Sequence, residues 1–151
     1  MLDDPIRILI VEARADAALS DALLQSAKEA LAKAEADCNV VTVPGALEIP
    51  AVVAMAEEGG HRPAGVRYDG YVALGCVIRG ESLHYGIALG EVARALNDLA
   101  IGRRLAIGNG VLAVENAREA QAFADAGAGG AAARAALAVV GLKRKLLGQA
   151  R

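Results

Sequence analysis

Short apolar runs alternate along this chain with longer segments whose apolar residues recur at helical spacing, and that alternation restricts the fold more than any other feature. Arg7 to Val11 reads as a buried strand, short, β-branched and continuous rather than alternating. Asp16 to Ala36 reads as a helix starting at Asp16 or Ser20, with Leu19, Leu23, Leu24, Ala27 and Leu31 in helical spacing. Cys38 to Val43 is a second strand, ended by Pro44-Gly45, and Pro50 suits the first turn of a short helix that reaches Glu57 and stops at Gly59-Gly60. After a polar loop from His61 to Arg67, Asp69 to Ile78 supplies a third strand and Ser82 to Leu99 a helix. Arg104 to Ile107 reads as a fourth strand and Glu115 to Ala124 as a helix; Gly127 to Gly130 is a glycine-rich break before a last helix, Ala131 to Leu147. Strands separated by helices imply a parallel sheet with helices on both faces and right-handed crossovers. The expectation is an α/β three-layer sandwich around a four-stranded parallel sheet, and one domain over residues 1–151.

Hydrophobic residues make up 55% of the chain but aromatic residues only 3%, so the core is built from Val, Leu, Ile and Ala. Ala-rich helix faces allow close approach and call for a neighbouring subunit to cover them. A net charge of -2 offers no general attraction to nucleic acid or to an anionic membrane. The basic cluster Lys143-Arg144-Lys145 suits the C-terminal end of a helix. Cys38 and Cys76 match neither a metal-ligand pair nor a disulfide framework and read as small buried hydrophobes. The acidic start, Met1 to Pro5, lacks the features of a signal peptide, and no uncharged run approaches the roughly 18 residues of a membrane span. The expected address is the cytoplasm.

Chemistry concentrates where the strands end. The apolar run Tyr71 to Ile78 stops at Arg79-Gly80-Glu81-Ser82, and His84 follows where a helix begins. Small ligands bind at the carboxyl ends of strands in open α/β sheets, so the segments after each strand converge there: Ala13 to Asp16, Pro44 to Glu48, Cys76 to His84 and Asn109 to Leu112. Gly75 and Gly80 have P-loop spacing, but Glu81 stands in the lysine position and would repel the phosphates that lysine holds. Gly108-Asn109-Gly110 lacks the third glycine of a dinucleotide fingerprint and reads as a tight turn, and Gly127 to Gly130 reads as a flexible connection. Spacing leaves two roles open for Glu48: a turn or capping carboxylate, or a fixed acceptor for ligand hydroxyl and N–H groups. A histidine in a first helical turn is more often structural than catalytic. Yet that location disfavours the imidazolium and keeps a neutral base available for proton transfer. Beside His84, the Gly80, Glu81 and Ser82 turn offers N–H groups and a hydroxyl to an anion.

Pro44-Gly-Ala-Leu-Glu-Ile-Pro50, Leu74-Gly-Cys-Val-Ile-Arg-Gly-Glu-Ser82 with His84, Gly108-Asn-Gly-Val-Leu112 and Glu119-Ala-Gln121 together resemble the lumazine synthase family, from about Arg7 to Lys143. The resemblance implies a flavodoxin-like fold. It also implies condensation of 5-amino-6-ribitylaminouracil with 3,4-dihydroxy-2-butanone 4-phosphate to 6,7-dimethyl-8-ribityllumazine, the riboflavin precursor. Phosphate and water leave, with no metal or cofactor. On that resemblance His84 transfers protons; Gly80, Glu81 and Ser82 hold the phosphate; and Glu48 holds the ribityl chain with Ala46 and Leu47 beside it. Val77 and Ile78 read the uracil, Asn109 sits where a neighbouring subunit completes the pocket, and Arg79 is positional. The same resemblance implies a homo-oligomer of at least five subunits, in some relatives a shell of twelve pentamers.

Four departures stand out. Ala15 occupies a position that is usually aromatic and stacks on the pyrimidine, an interaction of about 1–3 kcal/mol in other contexts. Asp125 stands where an arginine is expected to pair with the substrate phosphate, and a like charge there is unfavourable. The segment before the last helix is shortened to Ala126–Gly130, and Gly86 and Gly90 replace larger residues. The alternative these changes raise is a shell-forming or scaffold protein on the same fold, with weak or no turnover. A nucleotide binder of flavodoxin type is disfavoured by the missing P-loop lysine and the incomplete glycine fingerprint.

Overall fold

A computed structural model describes residues 4–80 and 85–148. Its elements run β1 (Arg7–Ala13), α1 (Ala17–Lys33), β2 (Asp37–Val43), a 3-10 turn (Ala46–Glu48) leading into α2 (Ile49–Gly60), β3 (Gly70–Ile78), α3 (Tyr85–Arg103), β4 (Ala106–Val114), α4 (Ala117–Asp125) and α5 (Ala128–Leu147). The strands form one sheet in the order β2-β1-β3-β4, every neighbouring pair parallel. Alternation along the strands divides the interior into two apolar layers. Ile8, Ile10, Val72 and Leu74 pack with α1, α4 and α5 residues such as Leu23, Ala124 and Ala133. Leu9, Val11, Tyr71 and Ala73 pack on the other face with Val53 of α2 and Val92 and Leu96 of α3. The three layers expected from the alternating sequence are present.

Boundaries differ from expectation where packing or cap geometry outweighs local sequence signals. β4 covers Ala106–Val114, more than twice the expected stretch, and Gly108-Asn109-Gly110 is strand rather than turn. Both glycines lie where α5 crosses the sheet: a Cβ on Gly110 would meet Ala132 Cβ and Leu74 Cδ2 at 2.9 Å. The Gly127–Gly130 break shrinks to Gly127, whose φ of 95° starts α5. Gly129 and Gly130 are buried helix, and a Cβ on Gly129 would stand 2.0 Å from the Leu23 carbonyl oxygen of α1. That segment is a helix–helix contact, not a flexible connection.

Asp16 caps α1, its carboxylate accepting from Leu19 N–H at 3.2 Å. The helix ends before Ala36 because Glu35 turns left-handed and Ala36 N–H returns to the Leu31 carbonyl at 2.9 Å. Arg104 does the same after α3, with Leu105 N–H donating to the Ala100 carbonyl, so α3 runs past Leu99 to Arg103. α2 takes in both glycines and ends at Gly60, close to the expected stop. Neither cysteine is in a disulfide. Among the described residues no single helix is long and apolar enough to cross a membrane.

Candidate functional site at the carboxyl edge of the sheet

The 46–48 turn follows β2 directly, closed by Glu48 N–H donating to the Gly45 carbonyl at 3.1 Å. It packs against β3 and α3. Ile49, fully buried, anchors it: its Cδ1 reaches within 3.8 Å of where a Gly75 Cβ would stand, and Ala13 Cβ lies 3.4 Å from the same point. The ends of β1, β2 and β3 therefore meet on the α2–α3 face. Ala46 is half-buried, while Leu47 and Glu48 are exposed. The Glu48 side chain folds back over Gly45, where a Cβ would stand 3.0 Å from its Oε1. It makes no capping bond to α2 and has no ionic or hydrogen-bonding partner among the described residues. The capping role left open by the sequence is thereby ruled out among those residues. An exposed carboxylate without a partner is available to ligand donors.

β3 carries Val77, buried on the α2–α3 face, and Ile78, half-buried and packed on the α1–α4–α5 face. Beyond it, Arg79 N–H donates to the Val114 carbonyl at 2.9 Å, its guanidinium meets Glu115 at 3.2 Å, and it stacks 5.2 Å from the Tyr85 ring centroid. Arg79 thus ties β3, β4 and α3 together. Gly80 is exposed with φ +86°, a backbone conformation that favours glycine. Glu81, Ser82 and His84 lie outside the described residues; they join β3 to α3, and both of those elements pack on the 46–48 turn.

Two expected residues do not converge here within one chain. Asn109 is not in a strand-end turn: it pairs in register with Ala73 rather than Ile78, roughly 16 Å short of the carboxyl end at about 3.3 Å per residue. It is exposed on β4, and its side-chain oxygen accepts from Val111 N–H at 3.0 Å, satisfying a donor of the edge strand. Asp125 ends α4, on the opposite face of the sheet from Glu48, and accepts from Gln121 Nε2 at 2.9 Å.

Sequence reasoning missed a polar network at the end of β1. Glu12 is 5% exposed and, with Ser20, makes up the buried polar side chains among the described residues. Its Oε1 accepts from Arg14 at 3.0 Å and its Oε2 from Thr42 at 2.9 Å. Arg14 also pairs with Asp21 of α1, and that hydrogen bond, aided by Glu12, raises its pKa. Ala15 is exposed, with its N–H donating to Ser20 Oγ at 2.9 Å. The available signal was a lone acid in an otherwise apolar strand, Ile-Leu-Ile-Val-Glu-Ala; ending that strand at Val11 concealed it. Among the described residues no group of three His, Cys, Asp or Glu side chains could hold a metal.

A parallel four-stranded sheet between two helical layers, with Glu48 lacking a partner among the described residues and Gly80 left-handed at its strand ends, defines an α/β three-layer protein. The family model described as 6,7-dimethyl-8-ribityllumazine synthase matches residues 5–144, and the chain belongs to that family. Its relatives include 6,7-dimethyl-8-ribityllumazine synthase 1 of Rhizobium meliloti, 54% identical over 145 residues and covering 94% of each chain. The synthase of Agrobacterium fabrum is 54% identical over 144 residues, 93% of this chain and 97% of its own. That of Bartonella tribocorum is 53% identical over 141 residues, 91% and 90% of the two chains.

Proposed function

We propose that this chain is a riboflavin-pathway transferase that condenses 5-amino-6-ribitylaminouracil with 3,4-dihydroxy-2-butanone 4-phosphate. Relatives of that name, about half identical over nearly the whole length, carry the reading, and they do not favour the scaffold alternative. Glu48, without a partner among the described residues and on a turn that packs against β3 and α3, supports a role in holding the ribityl hydroxyls. Ala46 and Leu47 line the same turn, and Ile78, whose side chain packs on the α1–α4–α5 face, contributes its backbone at the end of β3. Gly80, Glu81 and Ser82 receive the phosphate, and His84 moves protons as the amine adds to the carbonyl and water leaves.

Asn109 and Asp125 belong to the same pocket only if a second copy brings them there, because in one chain they lie away from Glu48. Shared sites of that kind require an oligomer, at least a pentamer, and membership in the family supports one; a larger shell in the cytoplasm belongs to the same reading. The test is the absorbance of the lumazine product when purified protein of measured mass meets both substrates. Turnover in the wild type, with His84→Ala slowed at least a hundredfold, is the expected result; assembled protein with no turnover would restore the scaffold reading.

A further inference from the structure

Glu12 does not face the proposed substrate edge. Strand alternation places it on the α1–α4–α5 side with Ile8 and Ile10, opposite Val11 and Ala13, and no other acid among the described residues is as deeply buried. A buried carboxylate is expensive unless paired, and apolar residues of similar volume commonly serve stability as well or better. Here both oxygens are committed, one to Thr42 on β2 and one to Arg14, whose guanidinium continues to Asp21 on α1. The chain of contacts thus spans β2, β1, the turn after β1 and α1. In the same turn Ala15 N–H is held by Ser20 Oγ, and Ser20 N–H by the Asp16 carbonyl. Residues 14–16 are fastened from behind, while the Ala15 side chain stays exposed and Ala13 lies in contact range of Gly75 on the other face.

We propose that Glu12 is a positioning residue: through Arg14 it sets the 14–16 turn that walls the heterocycle's place, and so governs affinity for the ribitylaminouracil. This rests on the function proposed above. The experiment is steady-state kinetics on full-length wild type, Glu12→Leu and Glu12→Gln, with thermal unfolding of each. Glu12→Leu replaces the acid with an apolar side chain; Glu12→Gln keeps its shape and decides the matter if the leucine variant does not fold. Expected is a rise of about tenfold in KM for the uracil substrate in both variants. KM for the butanone phosphate and kcat stay within about twofold, and Glu12→Leu unfolds no earlier than Glu12→Gln. An unchanged uracil KM in folded variants overturns the inference, as does a fall in kcat proportional to lost folded protein. Wild type without turnover sinks the proposed function and this inference with it; wild-type turnover with an insensitive KM sinks the inference alone.

Discussion

Gly108 of β4 lies so close to Ala132 of α5 that a Cβ on the glycine would stand 1.9 Å from the Ala132 carbonyl oxygen. The atom met is helix backbone, which cannot rotate aside, so Gly108→Ala must push α5 off the sheet. Overpacking commonly costs about 1–3 kcal/mol, and a backbone collision belongs at or above the upper end. The urea midpoint of Gly108→Ala should fall accordingly; an unshifted midpoint would mean that α5 does not press on β4 at Gly108.

Gly141, on the same helix, gives the opposite sign. Among the described residues nothing lies within 4 Å of its Cβ position and its backbone is helical, so an alanine meets no obstacle from them. Gly141→Ala should stabilise by about 0.5–1 kcal/mol, through reduced freedom of the unfolded chain. A lowered melting temperature would reveal a neighbouring chain packed against that face.

Tyr71, 1% exposed, donates its hydroxyl to Glu57 Oε1 at 2.7 Å. Burial first, and then the Glu57 hydrogen bond and charge, push its pKa far above the ordinary phenol value. Tyr71→Phe should cost about 1–3 kcal/mol near pH 7, because Glu57 loses its buried donor. As pH rises past about 10, unfolded chains release the phenol proton while the native state keeps it, at about 1.4 kcal/mol of stability per pH unit. The advantage of wild type over Tyr71→Phe is therefore full below pH 10 and disappears within roughly one or two units above it. Chemical denaturation at pH 8, 10 and 11 checks this; a gap that widens with pH would contradict the neutral buried phenol.

Much of this molecule is legible in its sequence because its strands are continuous apolar runs and its helices carry one apolar face. The departures come from residues whose role is set by distant partners. Gly108, Gly110, Gly129 and Gly130 look like turns or linkers locally, yet each is small because a helix backbone or side chain passes within contact of it. Glu35 and Arg104 end helices in the left-handed conformation that local signals reserve for glycine. At the site, the turn bearing Glu48 and the end of β3 were legible because Pro-Gly and Arg-Gly punctuate the strands. Asn109 was misplaced because its strand was cut short, and Glu12 was missed for the same reason at the end of β1.

Asp125 offers the sharpest separation of structural from functional roles. It ends α4, where an acid opposes the negative end of the helix, and its one hydrogen bond among the described residues comes from the neighbouring turn at Gln121. Asp125→Arg touches no core contact and should leave stability unchanged or raise it by about 0.3–1 kcal/mol. If a second copy brings this helix end to the butanone phosphate, the exchange also replaces a repelling charge with a charged donor worth about 1.5–3 kcal/mol. KM for the phosphate substrate should then fall at least about tenfold at low salt, with the gain shrinking as ionic strength screens the pair. KM for the uracil substrate should not move. A stabilised variant whose phosphate KM is unchanged at every salt concentration would remove Asp125 from the site and leave it a helix end alone.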